Sequence, residues 1–238
     1  MLPQSLLAVV FAATTAVAFP APDGQEPAQV VRFKRDSILE ARDFELAEAH
    51  GVDLSKMYKH SLLKRGDGDH VTVWVDRRYV EHEDLHEARD TEAALEERDI
   101  NLRVGKDAAF SGSIISDYCY DHKRQDHTGP NGPTTGGVKA IYQWARAHGG
   151  GKFNVKSTTN WENLVVAGSN GGTNALYRAR ALSGGTDIGT QDVRNDADWT
   201  LSKQRSFSGS WRASSKGGES CYLGRRINYE LIRTQYNV

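Results

Sequence analysis

Cysteine is scarce in this chain of 238 residues, which contains only two. Two cysteines exclude a disulfide-dense scaffold and a four-cysteine zinc site. Long hydrophobic runs are also missing after residue 18, where the longest strongly apolar stretch is Leu164–Ala167. A membrane-spanning helix needs roughly 20 such residues. The chain has no Asn-x-Ser/Thr sequon and no Gly-x-Ser-x-Gly motif, so neither N-glycosylation nor a hydrolase nucleophile elbow is predicted.

A large net charge is absent as well, because the formal charge is −1. This balance conceals two parts of opposite sign. Residues 1–98 hold 12 Lys and Arg against 19 Asp and Glu, whereas residues 99–238 hold 18 against 12. With 38% hydrophobic and 26% charged residues, the chain is neither a membrane bundle nor fully disordered. We therefore expect an acidic N-terminal part followed by a basic globular domain.

Residues 1–18 have the pattern of a secretory signal peptide. An apolar core at residues 6–13 precedes Ala16-Val17-Ala18, whose small side chains fit the signal-peptidase pocket at the first and third positions before the cut. We place the cleavage after Ala18. The sequence therefore predicts a secreted, extracellular protein without a transmembrane segment.

Residues 19–98 have the composition of an acidic pro-segment or a flexible N-terminal region. They lack cysteine, and Glu, Asp, Arg, Ala and His dominate them. Processing proteases of the secretory pathway recognise exposed dibasic pairs, and Lys64-Arg65 precedes a Gly-Asp-Gly-Asp stretch that a protease can enter easily. We expect cleavage there, giving a mature form that starts near Gly66 or Asp99. The segment itself is predicted to be largely disordered or helical.

Residues 99–238 are predicted to form a basic globular domain of the α+β class. The apolar positions of 138–145 recur at helical spacing, and Gly149–Gly151 end that helix. A second helix is expected to begin at Thr190. The remaining β-rich segments predict strands at 109–120, 152–156, 161–167, 174–182, 207–213, 220–223 and 227–234. Together they indicate a two-layer sandwich, in which an antiparallel-rich sheet carries two helices on one face.

The two cysteines, Cys119 and Cys221, are expected to be bonded to each other in an oxidising compartment. The bridge would close a loop of about 100 residues and stabilise the fold by roughly 4–5 kcal/mol. Two free thiols and an intermolecular bond are the alternatives. A catalytic cysteine is disfavoured, because oxidation would silence it outside the cell.

Short motifs of the basic part resemble one protein family. The stretch Asp187–Val193, the Gly-x-x-Cys ending at Cys221 and the strand Ile227–Ile232 are similar to the C-terminal half of small secreted necrosis-inducing effectors of fungi. The Asp-Tyr-Cys at 117–119 is similar to the cysteine that opens their domain, although the family's usual second disulfide is absent. That group is thought of together with the fungal killer toxins, which are two-layer α/β sandwiches. The resemblance covers much of residues 110–235 and implies a toxin-like or host-interacting virulence protein, with no known catalytic residues to carry over.

Catalytic candidates are few. A secreted ribonuclease needs a base, an acid and a cation for the phosphate, and His148, Glu162 and Arg178 could supply them. No spacing requires that arrangement, and His148 alternatively lies at a helix C-terminus that favours a protonated imidazole. The glycines before Lys152 are too few for a phosphate-binding loop. Neither a cofactor nor a metal site is predicted.

Five arginines are candidates for binding an anionic surface. We expect them on exposed strand faces and turns, where guanidinium groups can pair with phosphates or acidic sugars. They are Arg178, Arg180, Arg212, Arg225 and Arg226. The sequence thus predicts a secreted toxin-like or effector protein that binds a host or target-cell component, and it leaves enzymatic activity open. A small secreted hydrolase, foremost a ribonuclease, and a structural or inhibitory extracellular protein are the alternatives.

Overall fold

The computed structural model describes residues 29–64, 70–81, 118–169 and 174–234. The strands are β1 Gln29–Arg32, β2 Met57–Lys64, β3 His70–Asp76, β4 Cys119–Asp126, β5 Lys152–Val155, β6 Glu162–Ser169, β7 Asn174–Ala181, β8 Thr186–Gly189, β9 Arg205–Phe207, β10 Ser210–Arg212, β11 Ser215–Cys221 and β12 Arg225–Arg233. The helices are α1 Ala41–Ala49, α2 Thr135–Ala147 and α3 Thr190–Leu201. None of these three helices is long and apolar enough to cross a membrane. The predicted signal peptide and Arg65 of the predicted processing pair lie outside the described residues.

Eight of the strands form one antiparallel sheet in the order β1-β2-β3-β6-β7-β12-β11-β4. Its centre joins the two parts of the chain, because β3 pairs with β6 and places Val71 opposite Ser169. We expected a largely disordered or helical pro-segment, but residues 29–64 and 70–81 contribute three strands and a helix. The physical reason is that β3 is buried almost throughout and completes the core. Strands from both sides of the predicted domain boundary therefore belong to one sheet.

Helices α2 and α3 cover one face of this sheet. The helical spacing predicted α2, and the structure confirms it, because Val138, Ile141 and Trp144 are fully buried in one cluster with Val73 and Val165 of the sheet. Helix α3 begins at the predicted Thr190, and the two helices pack against each other. The chain is thus a mixed α+β protein built around a large antiparallel sheet, which is the class that the sequence predicts.

Helix α1 covers one end of the opposite face. Its Ala47 packs in a second cluster with Trp74 and Val166, which alternate along their strands with residues of the first cluster. His50, at the end of α1, packs so closely on the sheet that a Cβ on Gly168 would lie 2.3 Å from its ring. At this end the sheet has helices on both faces, where the predicted sandwich had helices on one face only.

The predicted disulfide between Cys119 and Cys221 is confirmed, with an S–S distance of 2.07 Å. It joins the first residue of β4 to the last residue of β11 and closes a loop of 102 residues. Asp192 of α3 fastens the same corner, because its carboxylate accepts the backbone N–H groups of Tyr118 at 3.0 Å, Cys119 at 3.2 Å and Gly189 at 2.8 Å. This corner of the sheet is therefore anchored both covalently and by hydrogen bonds.

Candidate functional site

The face of the sheet opposite α2 and α3 continues beyond α1 as an array of exposed or half-buried side chains. Residues paired directly across antiparallel strands point to the same side, so the register of β7, β12, β11 and β4 defines three rows. The rows are Leu182-Arg226-Ser220-Tyr120, Arg180-Asn228-Gly218-Lys123 and Arg178-Glu230-Lys216-Gln125. We call these twelve residues the open face.

The open face is strongly cationic. Its charged members are Lys123, Lys216, Arg178, Arg180, Arg226 and a single carboxylate, Glu230. The residues that alternate with them, such as Ala179 and Tyr229, are fully buried under the helices. Strand periodicity therefore separates a cationic surface from the core on the two sides of the same strands.

Two of these arginines are positioned by an aromatic ring. The guanidinium carbons of Arg178 and Arg180 lie 5.0 and 5.1 Å from the ring centroid of Trp161. Arg178 also donates to Glu230 from Nε at 2.8 Å and from Nη2 at 2.5 Å. The Nε atom of Arg180 is buried and has no hydrogen-bond partner among the described residues. That atom is enclosed by the protein, so it does not itself face an external anion. The guanidinium of Arg180 forms no ion pair with a carboxylate among the described residues, so its charge stays available in a side chain that Trp161 already orients.

The structure brings three of the five predicted arginines onto the open face, Arg178, Arg180 and Arg226. Arg212 lies elsewhere, on the two-stranded β9–β10 ribbon, and its Nη1 donates to the carbonyl of Gly132 at 2.6 Å. Arg225 lies at the end of the sheet, where its Nη1 donates to the carbonyl of Ser183 at 2.6 Å. The predicted set is thus one surface of three residues and two residues with local structural contacts.

A cavity of about 480 Å³ adjoins the open face beside Trp161. Its walls include Asp76, Arg78 and Glu162. Arg78 donates to Asp76 at 2.7 Å and pairs with Glu162 at 2.7 Å, so all three charged groups are engaged within the protein. The cavity therefore extends the surface beside Trp161, but Asp76, Arg78 and Glu162 offer no unpaired charge to a ligand there.

The three residues predicted for a ribonuclease bind separate partners. His148 lies at the end of α2, where its Nε2 is 3.2 Å from the hydroxyl of Ser61. Glu162 pairs with Arg78, and Arg178 is held by the carboxylate of the open face. The structure therefore shows three different environments in place of one acid–base–cation group.

His148 belongs to a buried cluster centred on His60. The indole N–H of Trp144 donates to Nδ1 of His60 at 3.2 Å, so Nε2 of His60 carries the proton and donates to Glu81 at 3.0 Å. The rings of His60 and His148 meet edge to face with centroids 4.5 Å apart. The cluster connects β2, in the acidic part of the chain, with α2, in the basic part.

Burial keeps both histidines of this cluster neutral. Loss of hydration lowers the pKa of His60 to about 4 and that of His148 to about 3, and the charge of Arg32 adds to both effects. The hydroxyl of Ser61 lies between the rings, 2.6 Å from Nδ1 of His60, but the residue is completely buried. A serine beside a histidine is here part of the core and not an accessible nucleophile.

Two carboxyl groups are buried beneath α3 on the same covered face. Asp196 accepts hydrogen bonds from Nε of Arg124 at 2.8 Å and from the hydroxyl of Tyr177 at 2.7 Å. Nδ1 of His122 lies 2.7 Å from Glu219. Burial raises the pKa of Asp196 well above its ordinary value, and the neighbouring charge of Glu219 adds to the shift. Ligand atoms of His122, Asp196 and Glu219 lie within 4.8 Å of one another, but Asp196 already binds two protein donors, so the group is an ion-pair network.

Two of these arrangements have no signal in the sequence alone. Trp161 is separated by 17 positions from Arg178, and only the register of β6 against β7 brings them together. A β-bulge between Lys59 and Ser61 turns His60 and its neighbour toward the same cluster, against the usual alternation of a strand. The alternation of Arg178 and Arg180 with buried residues, in contrast, is readable from the sequence.

No protein-family model matches the chain, and a comparison with curated proteins finds no match. The resemblance to fungal effectors therefore stays a prediction that rests on its short motifs. The function of this protein is inferred instead from the chemistry of the open face.

Proposed function

We propose that this protein is a secreted toxin-like or effector protein that acts by binding an anionic surface of a host or target cell through its open face. The observation that carries the proposal is the pair Arg178 and Arg180 on Trp161, within a face that holds five cations and one carboxylate. Preoriented guanidinium groups bind oxyanions with little loss of side-chain entropy. Arg180 is not paired with a carboxylate among the described residues, so its charge is available for that contact.

Secretion is part of this proposal. The signal-peptide pattern of residues 1–18 supports it, and the disulfide between Cys119 and Cys221 is compatible with an extracellular protein. Processing at Lys64-Arg65 by a protease of the secretory pathway belongs to the same proposal. Lys64 is the last residue of β2, so the cut would fall in the connection between β2 and β3.

Binding is favoured over turnover by the state of the catalytic candidates. His148 is neutral and buried, the carboxylate of Glu162 is engaged by Arg78, and Arg178 is engaged by Glu230. A ribonuclease needs these groups to face one phosphodiester. The ribonuclease alternative consequently has less support than a binding surface.

The test measures binding to three anionic materials at low and physiological salt. These are vesicles of phosphatidylcholine and phosphatidylserine, single-stranded RNA and an acidic polysaccharide. Native protein is compared with Arg180→Gln/Arg226→Gln and with the control Arg146→Gln/Arg212→Gln, which removes the same charge away from the open face. Each arginine near an anionic surface contributes about 1 kcal/mol, so the first double variant should bind about 30-fold more weakly.

Equal losses in the two double variants would show that only total charge matters, and the proposed binding face would be abandoned. Native protein that binds none of the three materials at low salt would contradict the proposal altogether. Multiple-turnover cleavage of RNA that His148→Ala abolishes would favour the ribonuclease instead.

A further inference from the structure

The end of the open face carries a group of exposed apolar side chains. Within the described residues, seven large apolar side chains are exposed, and four of them lie at this end of the sheet. They are Tyr120, Leu182, Tyr222 and Leu223. Tyr120 and Leu182 are the outer members of the first row of the open face, and the other two form the turn between β11 and β12. We call these four residues the apolar tip.

Leu223 is the most unusual residue of the apolar tip. It is 75% exposed and adopts φ 59° and ψ 27°, and Gly224 after it has φ 68°. The N–H of Arg225 donates to the carbonyl of Tyr222, so both central residues of this turn are left-handed, as in a type I′ turn. Asparagine usually occupies the first of these positions, because leucine is strained there. A strained and exposed leucine has no stabilising role in the fold, which points to contact with something outside it.

The turn of the apolar tip begins directly at the corner of the sheet that the disulfide anchors. The disulfide places Cys221 directly before Tyr222 and Cys119 directly before Tyr120. The N–H of Tyr222 donates to the carbonyl of Tyr118 at 2.9 Å. The base of the turn is thereby fixed, and Leu223 projects from a rigid support.

Cations surround the apolar tip. Arg226 lies in the same row as Tyr120, and Arg180 and Lys123 lie in the next row. Asp121, at the bulge of β4, is a negatively charged residue beside these three cations. Protruding aliphatic and tyrosine side chains next to basic residues are the composition of segments that enter the interface of an anionic bilayer.

We propose that the apolar tip inserts into the interface of an anionic phospholipid bilayer while the cations of the open face bind the lipid headgroups. This inference rests on the proposed function and names its target. A lipid interface is favoured over RNA or an acidic glycan, because an aliphatic side chain such as Leu223 can neither stack on a nucleic-acid base nor form a hydrogen bond with a charged sugar. It can be buried among lipid chains. Burying two leucine side chains and two tyrosine rings in the bilayer interface also compensates for the strain of the turn.

The test is the substitution Leu223→Asn, which removes the apolar group and supplies the residue that a type I′ turn prefers. Partitioning is measured by sedimentation with phosphatidylcholine–phosphatidylserine vesicles and with phosphatidylcholine alone. We expect Leu223→Asn to weaken partitioning to the anionic vesicles about tenfold while its melting temperature stays equal or rises. The control Ile38→Asn, which removes the other strongly exposed aliphatic side chain from the connection between β1 and α1, should leave partitioning unchanged.

The failures of the two proposals are distinguishable. If Leu223→Asn partitions like the native protein, insertion of the apolar tip is refuted, whereas electrostatic binding by the open face still stands. Native protein that binds RNA or acidic polysaccharide but no vesicles would also refute the lipid target and retain the proposed function. Absence of binding to every anionic material would overturn both.

Discussion

The two faces of the central sheet hold the same kind of ion pair in different environments. On the covered face, Arg124 pairs with Asp196, whose side chain is completely buried. On the open face, Arg178 pairs with Glu230, and each side chain keeps 21% of its surface exposed. One arginine–carboxylate pair is thus part of the core, and the other is part of a solvent-accessible surface.

The burial of each pair determines how much it contributes to the stability of the fold. Removing one partner of a buried pair leaves an uncompensated charge and destabilises a protein strongly, whereas an exposed pair contributes little. We therefore expect substitutions on the covered face to change the free energy of unfolding. Substitutions on the open face should change binding and leave the fold intact.

The largest effect is expected at the end of the sheet that α1 covers, on the same side as the open face. A chain that begins at Gly66 lacks β1, α1 and β2, and so exposes Trp74, which is fully buried in the intact protein. Seven residue pairs join β2 to β3, so residues 29–64 should stay bound after a cut at Lys64-Arg65. Expressed from Gly66, the protein should lose the whole stability of a small domain, about 5 kcal/mol or more.

Urea unfolding of this truncated chain and native mass spectrometry of the cut protein measure these effects. A truncated chain that unfolds cooperatively at the native midpoint would contradict the structural role of the N-terminal strands. Immediate dissociation of the cleaved piece would do the same. Either result would restore the boundary that the charge distribution predicts.

The next largest effect is expected when the carboxylate of each ion pair is removed in turn. Asp196→Ala should lower the free energy of unfolding by about 3–5 kcal/mol, because Arg124 and Tyr177 lose a buried partner. Glu230→Ala should lower it by less than about 1 kcal/mol. The same Glu230→Ala substitution should strengthen binding to anionic vesicles about fivefold, because it releases Arg178. Chemical denaturation and vesicle titration of both variants measure these changes, and similar losses of stability would erase the contrast between the faces.

A third effect concerns pH and the covered face. His60 and His148 are neutral in the fold, whereas in the unfolded chain they take up protons below a pKa near 6.5. Their contribution to stability is therefore complete above that pH and is lost as the pH falls toward the folded-state pKa values of about 4 and 3. Between pH 7 and pH 5, each histidine should lower the free energy of unfolding by about 2 kcal/mol.

Ring signals in NMR spectra decide this prediction. The raised pKa of Asp196 acts in the opposite direction, because a group whose pKa is higher in the fold than in the unfolded chain adds stability as the pH falls. The unfolding midpoint alone is therefore not sufficient. We expect both histidine rings to stay neutral down to pH 5, and the exposed-site control His127→Gln to leave their behaviour unchanged. Titration of either ring near pH 6 would mean that the cluster is open to water.

Local patterns were sufficient to predict part of this molecule. Helical spacing and a terminating run of glycines define α2, and the exposed positions predicted for Arg178 and Arg180 leave the alternating Tyr177 and Ala179 on the buried side. Oxidising conditions and an even cysteine count indicate the disulfide. Each of these features depends on neighbours in sequence or on a single long-range pair.

The remaining features depend on register between distant strands. An acidic composition gave no sign that β3 pairs with β6, and nothing local places Trp161 under Arg178 and Arg180. The left-handed backbone of Leu223 likewise comes from the turn geometry, and a leucine in the sequence gives no sign of it. Pairing of distant segments, and not propensity, therefore determines the candidate site.

The most direct measurement of the central claim is a lysine-labelling footprint in the presence and absence of phosphatidylcholine–phosphatidylserine vesicles. Lys123 and Lys216 lie on the open face, whereas Lys139 lies on α2 and Lys203 follows α3. All four are exposed, so each is labelled in the free protein. Binding through the open face predicts that vesicles protect Lys123 and Lys216 and leave Lys139 and Lys203 labelled as before. Protection of Lys139 and Lys203 with unchanged labelling of the first pair would contradict it.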